Sequence, residues 1–125
     1  PDLLVAPVLV LVLADRQRYL DRYAEPDKAM TGLGSAAEAW TMPYWLVDGG
    51  MAVDTLLLGA VDAGLGALLF GLFAREGAVR AALGVPEDRD VVGVVALGHP
   101  LPSRPGRSAA RPRRPDDEVI HRGGW

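Results

Sequence analysis

Two runs of valine and leucine without a single charge restrict most strongly what this 125-residue chain can fold into. The first is Leu3–Leu13 (LLVAPVLVLVL) and the second is Val91–Leu97 (VVGVVAL). Short apolar runs of this composition predict strands that are buried on both faces of a sheet. Because proline lacks an amide donor, Pro7 should lie near the start of the paired part of the first strand or on its open side.

Between these strands the pattern predicts a long helix in the core. Apolar residues surround its axis on most sides, and it should end near Ala63-Gly64, where glycine suits a left-handed cap. Either Asp48 caps its start or the helix begins upstream, near Pro43. A shorter helix is predicted over Glu76–Leu83, stopped by the glycine and proline that follow.

In three other segments the apolar residues follow no regular spacing. Arg16–Ser35 mixes charges with tyrosines and predicts a surface segment with one short helical turn, whereas Gly64–Phe73 is apolar and punctuated by glycine. Residues 99–125 carry five of the ten prolines and predict an extended C-terminal arm beyond a core of residues 1–98. The final Trp125 indicates that this arm packs on another surface.

Composition narrows the function classes. The chain has no cysteine, which excludes disulfide scaffolds, zinc ribbons and cysteine nucleophiles and fits a cytoplasmic protein. The run Met51–Ala74 is long enough to span a membrane, but Asp54 and Asp62 lie inside it at a high cost in lipid. We therefore expect a buried helix plus a loop, and no membrane partner.

The motifs of several enzyme classes are incomplete. Gly32-Leu-Gly34 and Gly64-Leu-Gly66 begin like a dinucleotide fingerprint, but neither has the third glycine after a strand. His99 and His121 do not form a metal-ligand cluster, so no metal site and no catalytic side chain are predicted. The tyrosines and tryptophans of residues 19–45 could line a ligand cleft or pack in the core, and core packing is the favoured interpretation.

The arm contains the segment with the highest density of charge, Arg111-Pro-Arg-Arg-Pro115. Guanidinium groups on a chain stiffened by proline can hold a phosphate through bidentate hydrogen bonds. The alternative is a solvated basic run. Nucleic-acid binding is disfavoured, because the chain is acidic, with a pI of about 5.3, and no aromatic residue lies between the arginines.

Six segments, in this order and spacing, carry a resemblance: Trp45–Ala52, Ala60–Gly71, Leu83–Pro86, Val94–Pro100, Arg111–Val119 and the terminal Trp125. Together they resemble the nitroreductase family of FMN-dependent oxidoreductases. The resemblance implies an α+β fold with a mixed sheet flanked by helices, including the long central helix. It also implies a homodimer with exchanged C-terminal arms and FMN at the dimer interface.

The resemblance also assigns site residues. Leu69-Phe70-Gly71 matches the backbone that passes the flavin ring near its reactive nitrogen, and Arg111 and Arg113 match the positions that reach the FMN phosphate. Arg114 is then expected to face solvent or another partner. The Arg-Arg-Ser motif with which family members open is absent here, so the chain resembles the C-terminal portion of such a protein.

The implied activity is electron transfer from NAD(P)H through FMN to a small-molecule acceptor, such as a nitro-aromatic or a quinone. Hydride transfer between stacked rings needs no acid or base from a side chain. An alternative function is a non-catalytic module that binds flavin or dimerises with a partner. A third is an interaction protein that uses its basic arm on acidic surfaces.

Overall fold

The computed structural model describes residues 5–102, 106 and 109–125, which form a small sheet and three helices. The strands and helices are, in chain order, β1 (Val8–Asp15), α1 (Arg16–Ala24), α2 (Tyr44–Asp62), β2 (Gly66–Phe70), α3 (Glu76–Leu83) and β3 (Arg89–Gly98). Short 3₁₀ turns lie at Ala29–Thr31, Ala37–Ala39, Phe73–Arg75 and Asp116–Glu118. This architecture confirms the predicted α+β class.

The sheet has the order β1-β3-β2, and both pairs of described strands are antiparallel. Its register is broken by a bulge, because Val12 pairs with Gly93 and Leu13 pairs with Val91. The extra residue on β3 is Val92, and its side chain faces α2. A Cβ atom at Gly49 would lie 2.7 Å from Val92, so glycine lets the helix approach the bulge closely.

The two predicted strands are present, but burial on both faces is wrong for the first. β1 begins directly after Pro7, as expected, while Leu3 and Leu4 lie outside the described residues. Val8 and Leu9 remain about half exposed, at 49% and 50%. The physical reason is that β1 is an edge strand and that, among the described elements, α2 alone makes extensive contacts with all three strands.

The positions of the helices follow the sequence with one exception, but the prediction that α2 is a buried helix is wrong, since only Trp45, Val53 and Ala60 of its 19 residues are buried. α2 begins after Pro43, so the upstream alternative is correct, and Gly64 takes the predicted left-handed conformation at φ 70°. α3 has the predicted bounds. The exception is α1, which has nine residues instead of one turn. Its N-cap is Asp15, whose carboxylate accepts a hydrogen bond of 3.3 Å from the amide of Arg18.

The core lies between α2 and the centre of β3 and is small. Val95 is fully buried, and Val53 is 2% exposed. The chain has an accessible surface of 9930 Å², against about 6,500 Å² for a compact monomer of this mass. Large parts of its apolar surface are therefore not covered by its own described residues.

Within the described part of the chain, α2 is long and apolar enough to cross a membrane by length and composition alone. A helix packed on a sheet passes the same test, so this is weak evidence for a membrane span. Asp48 and Asp54 lie on α2, and each carboxylate would be costly in a bilayer.

The described residues of the arm form only local hydrogen bonds. The amide of Ala109 bonds to Gly106, and those of Glu118 and Ile120 bond within the turn that follows Pro115. Trp125 is fully exposed, and its ring stacks on His121 at a centroid distance of 4.3 Å. Its packing on another surface, and the division into core and arm, stay predictions.

One glycine holds the loop after α1 against the helix end. A Cβ atom at Gly34 would lie 2.5 Å from the backbone nitrogen of Ala24, so Gly34→Ala forces backbone apart. We expect it to lower the free energy of unfolding by about 2 kcal/mol, measured by urea denaturation. The control is Gly77→Ala on α3, where no atom lies within 4 Å. Equal stability of the two variants would contradict the prediction.

Candidate functional site

The predicted flavin-contacting backbone lies at the end of the edge strand β2. Leu69 and Phe70 are its last residues, and Phe70 pairs with Val94 of β3. Since β2 has one neighbour among the described strands, alternate amides of this segment point away from the sheet. Gly71 follows directly, so the three residues form a continuous stretch of backbone.

The segment after Gly71 is strained. Phe73 is the one non-glycine residue with a positive φ, 47°, in the described ranges. Its ring covers Gly71 so closely that a Cβ atom there would lie 3.1 Å from two ring carbons. The ring is otherwise 87% exposed. A side chain at position 71 would therefore displace an exposed aromatic ring.

The predicted phosphate-binding residues are exposed and available. Arg111 and Arg113 lie in the described part of the arm, and neither guanidinium has a salt bridge to a residue that the structure describes. No hydrogen bond given for these arm residues reaches β2. Within one chain, no described hydrogen bond links the two halves of the predicted cofactor site, and their roles stay predictions.

A cluster of five aromatic rings connects α1 with the start of α2. Trp40 is its centre, with ring centroids of Tyr23 at 4.6 Å, Tyr19 at 5.9 Å, Trp45 at 6.0 Å and Tyr44 at 6.1 Å. All four contacts are edge-to-face, the geometry that aromatic pairs prefer. Trp45 is buried, whereas the three tyrosines and Trp40 retain partial exposure.

Two hydrogen bonds fix this aromatic cluster. The Trp40 indole nitrogen donates to the carbonyl of Leu33 at 2.8 Å, and the Tyr19 hydroxyl donates to the Asp48 carboxylate. The second bond joins the first turns of α1 and the second turn of α2 across 29 residues of chain. It therefore holds the two helices together at this point.

Beside the cluster lies a cavity of about 490 Å³. Its lining includes Tyr19, Tyr23, Trp40, Thr41, Tyr44 and Asp48. The aromatic residues of this segment consequently do both things that the sequence left open, since they pack against one another and line a cleft.

The bond to Asp48 and the nearby negative charge raise the pKa of Tyr19 from 10.0 to about 12. The folded state then holds the Tyr19 proton more tightly than the unfolded chain, a stabilisation present below pH 10 and lost as the pH approaches 12. We predict that the free energy of unfolding falls more steeply over this range in the wild type than in Tyr19→Phe. Urea denaturation at stepped pH measures both slopes, with Tyr44→Phe as control, because Tyr44 does not bond Asp48. Equal slopes in the wild type and Tyr19→Phe would contradict this.

Ion pairs connect the end of β1 with the start of β3. Arg89 pairs with Asp15 at 3.1 Å, and Arg16 pairs with Asp90 at 3.5 Å, across β1 and β3. Arg80 of α3 donates to the carbonyl of Pro86 at 3.1 Å and to that of Arg89 at 2.7 Å, which ties the loop and the start of β3 to the helix. These charged side chains stabilise the contact between the strands and α3. No group of three or more potential metal ligands occurs among the described residues.

Three kinds of comparison with known proteins agree with one another. The sequence model of the nitroreductase family matches residues 2–99. A protein of Archaeoglobus fulgidus, provisionally named NADH dehydrogenase/NAD(P)H nitroreductase, is 36% identical over 88 residues, which cover 66% of this chain and 49% of the relative. The solved structure of B. megaterium NfrA2 is 26% identical, with a TM-score of 0.63, over 96% of this chain and 46% of NfrA2.

Proposed function

The chain belongs to the nitroreductase family, and from that premise we propose that it contributes to an FMN-dependent oxidoreductase. Family membership supports a general oxidoreductase role. The proposed reaction carries electrons from NAD(P)H to a nitro-aromatic, a quinone or a similar small-molecule acceptor. Because the chain spans about half the length of the relatives it matches, the activity is proposed for the whole protein.

The observation that carries the proposal is the chemistry of the available donors. The edge strand β2 offers backbone amides at Leu69–Gly71, and the arm offers two guanidinium groups without ion pairs to described residues. These donors fit FMN, whose ring needs an amide at the position that gains negative charge and whose phosphate needs bidentate cations. Bound FMN would supply the hydride and electron chemistry that no side chain of the chain provides.

Each half of this donor set has a separate task. The backbone of Leu69, Phe70 and Gly71 orients the ring and stabilises charge on it, and only proline would remove such an amide. Arg111 and Arg113 anchor the phosphate end, and Pro112 between them reduces the entropy lost on ordering. Arg114 is left to face solvent or another partner.

We propose a homodimer with exchanged arms. The described arm makes no hydrogen bond to its own β2, and an arm exchanged between two copies would bring Arg111 and Arg113 of one copy to the strand of the other. α2 offers a contact surface, because Val47, Met51 and Leu58 lie opposite its buried stripe and are 40%, 63% and 64% exposed. We propose a cytoplasmic location from the cysteine-free composition.

The test is a visible absorption spectrum of the purified chain after incubation with FMN and desalting, followed by an assay of NAD(P)H oxidation. A retained flavin band with acceptor-dependent oxidation supports the proposal. A flavin band without oxidation favours a non-catalytic module that binds flavin or dimerises. No retained flavin, in the presence of a folded chain, contradicts a cofactor site built from these residues.

A further inference from the structure

We infer that the cavity beside the aromatic cluster binds an organic cation with a diffuse charge, such as a quaternary ammonium or an N-alkylpyridinium ion. The first argument is the character of its walls. Tyr19, Tyr23, Trp40 and Tyr44 line it, and aromatic faces carry partial negative charge that attracts cations. A cation–π contact of this kind already exists next to the cavity, where the Lys28 ammonium lies 5.5 Å from the centre of the Tyr23 ring.

The second argument is an unpaired negative charge. Asp48 lines the cavity and accepts a hydrogen bond from Tyr19, but no basic side chain among the described residues lies within ion-pair distance of it. Some carboxylates of the fold, such as Asp15 and Asp27, are paired with arginine, but Asp48 is not. A carboxylate accepts several hydrogen bonds or charge contacts, so Asp48 keeps capacity for a cation.

The third argument is the composition of the cavity as a whole. The remaining lining residues are neutral, and none of the lining residues is lysine or arginine. An anion would meet Asp48 without compensation, and a small inorganic cation would lose its hydration shell against rings that cannot replace it. A weakly hydrated organic cation is attracted by both the rings and the carboxylate.

This inference does not rest on the proposed flavin site, because none of the residues that line the cavity is assigned to FMN. The two proposals can therefore fail separately. A chain that binds no flavin can still bind the cation, and the reverse also holds.

The experiment is a proton NMR titration of small probes with the full chain. Tetramethylammonium is compared with its neutral counterpart tert-butanol, and 1-methylnicotinamide with neutral nicotinamide. We expect saturable upfield shifts of the N-methyl protons, from the ring currents, and binding about tenfold tighter than for the neutral partner. The two pairs also separate alkyl from planar cations.

Asp48→Asn tests the charge while its amide oxygen can still accept the Tyr19 hydroxyl. We expect it to weaken cation binding about tenfold, whereas Asp62→Asn, at the exposed end of the same helix, should leave binding unchanged. Circular dichroism and the melting temperature establish that both variants fold. The inference is overturned if each neutral probe binds as tightly as its cation, if the shifts do not saturate, or if Asp48→Asn binds like the wild type.

Discussion

Replacing Arg111 and Arg113 together by alanine should weaken FMN binding about a hundredfold or more, with about a tenfold loss from each single substitution. The reason is that each guanidinium is proposed to donate charge-assisted hydrogen bonds to the phosphate, and neither has another ion-pair partner in the described chain. The measurement is quenching of flavin fluorescence on titration with protein at fixed salt concentration.

Two controls separate phosphate binding from general electrostatics. Arg114→Ala removes the same charge from the same arm, and we expect near-normal FMN affinity. Riboflavin lacks the phosphate, so its affinity should be equal in the wild type and in the Arg111 and Arg113 variants. If Arg114→Ala costs as much as the other two substitutions, the assigned register of the arm is wrong.

In the proposed homodimer, Leu58→Asp should shift the protein from dimer to monomer. Leu58 is 64% exposed and forms, with Val47 and Met51, an apolar stripe opposite the buried Val53. Asp54 and Asp62 lie one turn before and after Leu58. In a homodimer that buries this stripe, the substitution places two uncompensated carboxylates at the interface. Analytical ultracentrifugation should give about twice the chain mass of 13.3 kDa for the wild type and the single mass for the variant.

The chain provides a matched control on another helix. Leu83 of α3 is also 64% exposed, so Leu83→Asp changes the same residue type at the same exposure. We expect this variant to keep the wild-type mass. A wild-type chain that sediments as a monomer, or a Leu58→Asp variant that stays dimeric, would show that α2 is not the interface.

The sequence predicted those elements whose signal is local. β3 and α3 combine a clear apolar pattern with stop signals, and both were found close to their predicted bounds. α1 was underestimated because its composition is polar, and its start depends on one capping side chain, Asp15. β2 has only five residues, the first of them Gly66, which are too few to establish a period, and its edge position depends on pairing with a distant strand.

The candidate sites were predictable to different degrees. The bond between Tyr19 and Asp48 joins two helices far apart in the chain, and no local pattern indicates it. The cavity exists because the turns before α2 bring Trp40 against Tyr23, a tertiary contact. The roles of Arg111 and Arg113 depend on a resemblance, since no described hydrogen bond of the arm reaches β2.

The pairing of β1 with β3 has a consequence for the order in which the molecule assembles. β1 stands at the start of the described core and β3 near its end, so their contact closes the chain from Asp15 to Arg89 into a loop and has a high entropic cost. β2, α3 and β3 are consecutive and need no such closure, so we expect them to form first and β1 to add last. Pulse-labelled hydrogen exchange would then protect the amides of Leu68 before those of Val10. Until β1 pairs with it, β3, the most buried strand of the fold, has an open edge that a second, equally incomplete molecule could occupy.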